Sequence, residues 1–182
     1  MMKYSIFLIS LLMLLCIPGR AQTKAKVKFT SINEIGILTG ESSAELEIQS
    51  INGISYKGFL AGVGLGVDDY YERTFPLFVD FRKRLSKNES ALFVYGDAGY
   101  SFINKKALTE WEMDRKGGHY YAAGIGYEIS THGKLRAVLD VGYSYKRFSR
   151  IIDNEPWRSS LHYFDTYDYS LNRISIKAGL RF

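Results

Sequence analysis

Apolar and polar residues alternate with a period of two over most of the chain beyond residue 30, and this alternation predicts β-strands. The segment NRISIKAGLRF at 172–182 shows it most clearly, because apolar side chains occupy one face and charged or small residues the other. No segment here keeps a convincing helical period, and the best helix candidate, at 107–116, is short and highly charged. The pattern predicts eight strands, at about residues 30–40, 43–52, 55–69, 74–86, 90–103, 118–131, 134–149 and 167–182.

The connections between these strands differ in length. Tight polar turns are predicted near residue 53, at 86–89 and at 131–134, whereas the links at 104–117 and 150–166 are long. An even number of strands, with short turns on one side and longer loops on the other, is typical of a bacterial outer-membrane barrel. The sequence therefore predicts an all-β fold, an eight-stranded antiparallel up-and-down transmembrane β-barrel, with both termini on the periplasmic, short-turn side.

The two faces of the predicted strands differ in charge. One face is apolar and almost free of charge, whereas the other collects acids and bases in equal number. An eight-stranded barrel has room inside only for side chains, so the charged face predicts a salt-bridged plug in the lumen. The predicted lumen charge network consists of Glu34, Glu45, Glu47, Asp80, Arg82, Arg84, Asp97, Glu128, Arg136, Asp140, Lys146, Arg173, Lys177 and Arg181. Within it, we expect Asp80, Asp97 or Asp140 to pair with Arg82, Arg136 or Arg173.

Period two alone is also compatible with a soluble sandwich or a lipocalin-like barrel, in which the apolar face would point inward. Two observations favour the membrane barrel. Glycines are frequent on the charged face, as expected where strands curl around a narrow lumen; they are Gly58, Gly62, Gly64, Gly66, Gly99, Gly124, Gly126, Gly142 and Gly179. Aromatic residues gather near the predicted long-loop ends, as in an interfacial girdle; they are Tyr70, Tyr71, Phe75, Tyr120, Tyr121, Tyr143, Tyr145, Phe148, Tyr167 and Tyr169.

The first 21 residues have the organisation of a cleaved signal peptide. A basic residue, Lys3, precedes an apolar run that is short for a membrane anchor, and Gly19 and Ala21 supply small residues before the predicted cleavage site. The only cysteine, Cys16, lies in this segment, so thiol catalysis and disulfides are not expected in the remainder, 22–182. Cleavage lowers the net charge from +5 to +3, which is too mild to indicate nucleic acid as a partner.

The closing strand suggests a second role besides completing the barrel. In lipid, unpaired backbone groups are costly, so the last strand should pair with the first and leave no edge. Its apolar face ends in an aromatic residue, which is the pattern read by the barrel-assembly machinery. The predicted assembly signal consists of Ile174, Ile176, Ala178, Leu180 and Phe182.

Several segments resemble small outer-membrane β-barrel proteins of Gram-negative bacteria, of the eight-stranded porin-fold type. The resemblance implies this fold and location in the cell outer membrane, but no particular reaction, since the function of such proteins is largely unassigned. The segments that carry it are FTSINEIGIL, SINGISYKGFLAGVGLGVDDY, FPLFVDFRKRL, VYGDAGYSF, GHYYAAGIGYEIS and RISIKAGLRF.

Some barrels of this kind modify lipid A, using a histidine with a serine or an acid near the outer rim. His119 and His162 are the candidates here, and the available partners are Ser159, Ser160, Asp165 and Asp168. No histidine and serine pair lies on one strand face, so no catalytic residue is predicted and ordinary loop polarity explains the group better. The histidines show no metal-ligand spacing, and neither a metal nor another cofactor is predicted.

The sequence thus predicts a non-enzymatic outer-membrane barrel with a structural or membrane-integrity role, or with a binding role for its long loops. Trp111 and Trp157 are the candidate binding residues in those loops. The expected partners are outer-membrane lipid, the assembly machinery during insertion, and an external ligand or protein. A lipid A deacylase-like enzyme, a narrow channel and a soluble periplasmic lipocalin-like barrel remain the alternatives.

Overall fold

The computed structural model describes residues 26–40, 44–69, 73–88, 90–103, 112–131, 133, 135–153 and 164–182. The predicted signal peptide at 1–21 and both tryptophans, Trp111 and Trp157, lie outside these residues. No helix in the described ranges is long and apolar enough to cross a membrane.

The described part of the chain forms antiparallel strands joined in a single sheet. β6 and β7 are separated only by Gly117 and both pair with β8, so they form one continuous wall of the barrel. The strands are β1 Lys28–Thr39, β2 Ala44–Tyr56, β3 Phe59–Asp68, β4 Thr74–Arg84, β5 Ala91–Ile103, β6 Glu112–Lys116, β7 Gly118–Ser130, β8 Arg136–Asp153 and β9 Phe164–Arg181.

The sheet closes on itself through its first and last strands. β1 pairs with β9 from Ile32 opposite Arg181 to Thr39 opposite Ile174. Beyond the strand end, the Phe182 backbone N–H donates to the Ser31 carbonyl oxygen at 2.9 Å. Closure joins the two edges of the sheet, and it confirms the predicted eight-stranded antiparallel up-and-down barrel.

The hairpin between β2 and β3 turns later than the sequence predicts. The expected turn near residue 53 is wrong: β2 continues to Tyr56, and Gly53 lies within it, opposite Gly62. The chain turns instead at Lys57 and Gly58, whose φ angles of 48° and 85° correspond to a two-residue type I′ turn. This turn favours the right-handed twist of the two strands, and it removes Gly58 from the predicted set of lumen glycines.

Replacing Gly58 with alanine should therefore destabilise the protein by about 1 kcal/mol, because a Cβ is strained at positive φ. Gly96→Ala is the matched control, since a Cβ at that position meets no atom within 4 Å. Urea unfolding of the two variants, refolded into phospholipid vesicles, measures both effects. Equal stability of the variants would contradict the type I′ assignment.

The predicted long links are partly strand. The link at 104–117 contains β6, so its C-terminal part is neither the predicted loop nor the candidate helix, and the link at 150–166 is shortened from both sides by β8 and β9. β8 and β9 have 18 residues each, whereas a membrane-spanning strand needs only about 9–11. The surplus of about seven residues extends roughly 23 Å along each strand. We call β6 with the ends of β8 and β9, residues 147–153 and 164–170, the outer ribbon.

The strands present their apolar face outward and their charged face to the lumen, as the membrane-barrel prediction requires. Ile125, Val79 and Leu46 are each about 60% exposed on the outer surface, whereas Asp80, Asp140 and Glu128 are almost completely buried inside. The predicted aromatic girdle is wrong at Tyr120 and Phe148, whose side chains are buried inside the barrel, and at Tyr169, whose ring stacks on Phe148. Successive side chains of a strand point to opposite faces, so a residue next to an outward one points into the lumen. Tyr70 and Tyr71 lie outside the described residues.

Two lumen glycines make room for aromatic rings. A Cβ at Gly64 would lie 2.3 Å from the Phe78 ring, and a Cβ at Gly126 would lie 2.2 Å from the Phe93 ring. The rings therefore lie directly against the glycine backbone of the adjacent strands. This close approach allows large side chains to fill the narrow interior.

Candidate functional site

The centre of the lumen is organised around Arg82 of β4. Its Nη1 donates to Glu34 Oε1 at 2.9 Å, its Nη2 donates to Glu34 Oε2 at 3.1 Å, and its Nε donates to Asp80 at 2.9 Å. Asp140 lies 3.5 Å from Nη1 on the opposite wall. Glu34 belongs to β1 and Asp140 to β8, so these ion pairs join β1, β4 and β8 across the interior. The Arg82 side chain is only 5% exposed.

Lys177 is the second cation of this central layer. Its Nζ lies 3.5 Å from Asp140 Oδ1 and 3.9 Å from Glu34 Oε2, above the Tyr95 ring at 4.6 Å from the ring centroid. Asp97, also buried, is opposite Asp80 in the pairing of β4 with β5. Among the described residues, the layer combines four carboxylates with two cations, so its net charge is negative when all six are ionised.

A second ionic group lies nearer the long-loop end. Lys146 forms a buried salt bridge with Asp68 and donates to the Thr74 hydroxyl at 2.9 Å. Thr74 in turn donates to Asp68 at 2.6 Å, so the three side chains satisfy one another. On the adjoining strands, the Ser175 hydroxyl donates to Glu47. This outer layer connects β2, β3, β4, β8 and β9 inside the barrel.

The short-turn end has the opposite charge balance. Glu128, with 1% of its side chain exposed, contacts three guanidinium groups: Arg181 at 2.9 Å, Arg136 at 3.1 Å and Arg84 at 3.5 Å. Beyond them opens a vestibule of about 610 Å³, which is also lined by Lys26, Lys28 and Lys57. We call this region the inner mouth.

An apolar layer separates the inner mouth from the central layer. Its inward-facing side chains come from five different strands, and they form one buried cluster with Phe78 and Tyr95. A cavity of about 10 Å³ remains between Arg82 and Glu128, which is room for about one water molecule. Apolar side chains therefore line the interior at this level, and the expectation of an interior that is polar throughout was wrong. The side chains of the layer are Ile32, Ile51, Leu60, Phe93 and Val138.

The structure places the remaining predicted lumen charges as follows. Arg136 contacts Glu128 and not one of the expected aspartates, and Arg173, 8% exposed, donates to the Leu38 carbonyl oxygen at 3.5 Å. Glu45 is half-buried near the long-loop end. Asp68 and Arg115 are also buried, although neither belongs to the predicted lumen charge network. Asp68 could have been found, because it has the same strand parity as Gly66 and Gly64.

His119 lies on the outer surface, where its ring neighbours among the described residues are tyrosines. Its ring lies 6.2 Å from the Tyr121 ring and 6.3 Å from the Tyr100 ring, centroid to centroid. Asp168 lies in the outer ribbon, where it accepts hydrogen bonds from Arg147 and Ser149. Asp165 lies opposite Ile152 in the same ribbon. His162, Ser159 and Ser160 are outside the described residues.

The predicted assembly signal forms the outward face of β9. Its five side chains are exposed on the apolar outer surface, and Phe182 is 58% exposed at the short-turn rim. The described residues contain no group of three or more His, Cys, Asp or Glu side chains that could hold a metal ion.

Comparison with known proteins supports the fold. No family model and no curated protein matches the sequence. The solid-state NMR structure of outer membrane protein AlkL in DMPC lipid bilayers matches with a TM-score of 0.56 and 11% identity, over 91% of this chain and 93% of that chain. A major outer membrane protein from Thermus thermophilus covers 85% of this chain and 100% of that chain at 13% identity, but its TM-score of 0.48 is too low to support an argument.

The closed eight-stranded barrel, its apolar outer surface and its likeness to AlkL define the class: the chain has the fold of the small outer-membrane β-barrel proteins. At this level of identity the likeness concerns the fold alone.

Proposed function

We propose that this protein is a non-conducting, non-enzymatic barrel of the outer membrane, which acts as a rigid scaffold for its outer ribbon and long loops. The predicted signal peptide at 1–21 and the assembly signal of β9 support export and insertion, and the apolar outer surface suits contact with lipid. Outer-membrane lipid and the barrel-assembly machinery are then its general partners, and no cofactor takes part.

The observation that carries the proposal is the ion-paired central layer. Arg82 and Lys177 hold carboxylates from opposite walls together, and the apolar layer beneath leaves room for about one water molecule. Separating these ion pairs to admit hydrated ions would leave charges without partners, at a cost of several kcal/mol each. The layer therefore favours a solid support over a continuous channel.

The outer ribbon supports a binding role for the loops. It is stiffened by a salt bridge between Arg147 and Asp168 at 2.9 Å and by stacking of Phe148 on Tyr169 at a centroid distance of 4.8 Å. The rest of the two predicted long links, 104–111 with Trp111 and 154–163 with Trp157, is joined to this ribbon along the sequence. A rigid ribbon beyond the bilayer would present them to an external ligand or protein.

The lipid-modifying alternative has less support. The catalytic histidine of such an enzyme needs a serine or acid within hydrogen-bond reach, whereas the ring neighbours of His119 are tyrosines. Aromatic side chains on the outer surface near a barrel rim are explained by contact with the membrane interface.

Conductance measurements test the closed lumen. The refolded protein should give no stepwise conductance in planar lipid bilayers in molar KCl, because the central layer blocks the lumen. The double variant Arg82→Ala, Lys177→Ala is the comparison, since it removes both cations that hold the carboxylates together. Regular conductance steps from the unmodified protein would overturn the proposal and support the narrow channel.

A trimmed variant separates a purely structural role from a binding role. Ser149 lies opposite Asp168, so residues 150–167 can be replaced by Asn-Gly to close a two-residue hairpin. A strain without the gene should become sensitive to detergent if the protein supports membrane integrity. Restoration by the trimmed variant would assign this role to the barrel, whereas restoration by the full chain alone would assign it to the ribbon and loops.

A further inference from the structure

The outward surface of the barrel carries a polar patch on β1 and β2. Ser31 lies opposite Asn52, and Asn33 lies opposite Ser50, in adjacent cross-strand pairs. Asn33 and Asn52 are exposed, and Asn52 Nδ2 donates to the Ser50 hydroxyl at 3.4 Å. We call these four residues the seam patch. Along the other described strands, outward positions between the two rims are apolar, aromatic or glycine, apart from Asn172 next to the outer ribbon.

The seam patch extends from the short-turn rim, where Ser31 exchanges backbone hydrogen bonds with Phe182, to Asn33 and Ser50 near the middle of the barrel wall. Asn33 immediately precedes Glu34, which belongs to the central layer around Arg82. Above it on β1, Ile35 and Ile37 continue the apolar surface, and below it Phe29 marks the short-turn rim. At this depth the Asn33 amide and the Ser50 hydroxyl would face hydrocarbon chains, which offer no hydrogen-bond partners.

The surface around the patch is also recessed. A shallow groove of about 470 Å³ includes Asn33 and Ser50 in its lining, between larger side chains such as Ile48, Leu65 and Leu180. Small side chains at the centre of a membrane-facing surface allow another protein surface to approach closely. A groove with polar groups at its centre therefore suits a protein partner better than it suits lipid chains.

We propose that the seam patch is the contact surface of a homodimer in the membrane. Two copies inserted in the same direction are related by a two-fold axis along the membrane normal, so residues at the same depth meet each other. Asparagine and serine side chains both donate and accept hydrogen bonds, so the patch is complementary to itself. The seam patch of a second copy thus provides hydrogen-bond partners of the right kind at the right membrane depth.

The membrane-facing surface around the seam patch is small, so its polar groups determine whether two copies associate. The face formed by β9, β1, β2 and β3 is about 19 Å wide and about 25 Å tall, or roughly 500 Å² per copy. This is smaller than the roughly 800 Å² per partner of a standard soluble interface. Lipid chains compete equally for the apolar side chains, so interchain hydrogen bonds from the seam patch supply the preference for a partner.

Cysteine cross-linking in outer membranes tests the dimer. The full gene carrying Cys16→Ser has no other cysteine, so single reporters can be introduced. Ile35→Cys places the reporter beside the patch, and Ile125→Cys is the control on the opposite wall. The two positions have a similar depth in the membrane. Glu34 and Asp140 both contact Arg82 and therefore lie at one level. Ile35 follows Glu34, and Ile125 pairs with the residue that follows Asp140.

With a short membrane-permeant bis-maleimide, we expect at least about tenfold more cross-linked dimer from Ile35→Cys than from Ile125→Cys. Adding Asn33→Leu and Asn52→Leu to Ile35→Cys should remove most of that product. Equal yields from the two reporters, a product whose mass differs from that of a dimer, or no effect of the leucines would overturn the proposal.

The inference rests on the membrane location proposed above, and the same gels test that location separately. Every variant should migrate differently when boiled and unboiled, as a folded membrane barrel does. A mobility shift without cross-linking would reject the dimer alone, whereas the absence of a shift in the unmodified protein would reject the location.

Discussion

Arg82→Met should lower the free energy of unfolding by about 3–5 kcal/mol, which is the range measured when one partner of a buried ion pair is removed. Methionine fills part of the same space but leaves Glu34, Asp80 and Asp140 without their common cation. The measurement is urea unfolding of protein refolded into phospholipid vesicles, followed by circular dichroism and by gel mobility.

Lys83→Met is the matched control for this prediction, because it removes the same charge from the neighbouring position on the outer side of the strand. Lys83 is exposed, and its cation–π contact with Phe59 contributes about 0.5–1 kcal/mol. Adding Glu34→Gln to Arg82→Met should recover part of the loss, since one uncompensated carboxylate disappears. If both methionine variants lose the same stability, the central layer does not hold the barrel walls together.

Glu128→Gln should lower the free energy of unfolding by about 2–4 kcal/mol, somewhat less than the fully buried case because the arginines are partly exposed. The substitution preserves shape but removes the carboxylate shared by Arg84, Arg136 and Arg181. Three guanidinium groups then face one another without that counter-charge. The loss should shrink at high salt, because the inner mouth is open to solvent.

Glu45→Gln provides the comparison for Glu128→Gln. Glu45 is half-buried at the other end of the lumen and has no ion pair with another described residue. Its substitution should change stability by no more than about 0.5 kcal/mol. A large loss from Glu45→Gln, or none from Glu128→Gln, would contradict the distribution of ion pairs described here.

The sequence alone predicted the eight-stranded barrel correctly, because the information that defines it is local. Side chains alternate between the two faces of a strand, so the outward Ile174, Ile176 and Leu180 could be recognised without knowing their neighbours. The same rule could have placed Tyr120 in the lumen, since Tyr121 was already assigned outward. It could also have revealed Asn33 and Ser50 as polar interruptions of the apolar surface.

The turn between β2 and β3 and the outer ribbon depended on pairing between strands. The Asn-Gly dipeptide at 52–53 is a strong local turn signal, but β2 continues through it because its residues pair with β1 and β3 on both sides. Likewise, the segment 112–116 is short and charged, and only its pairing with β8 makes it a strand. Neighbouring strands thus overrode local preference in both segments.

The sequence by itself determined the strands, the outward and inward faces and the presence of charges in the lumen, because alternation is a property of each strand alone. Only the tertiary structure decided that Arg82 meets Glu34 and Asp140, and that three arginines share Glu128. The stagger of the closed barrel sets which residues lie at one level, and no single strand contains that information. Packing in the narrow lumen then decided which charges pair and where apolar side chains close the interior.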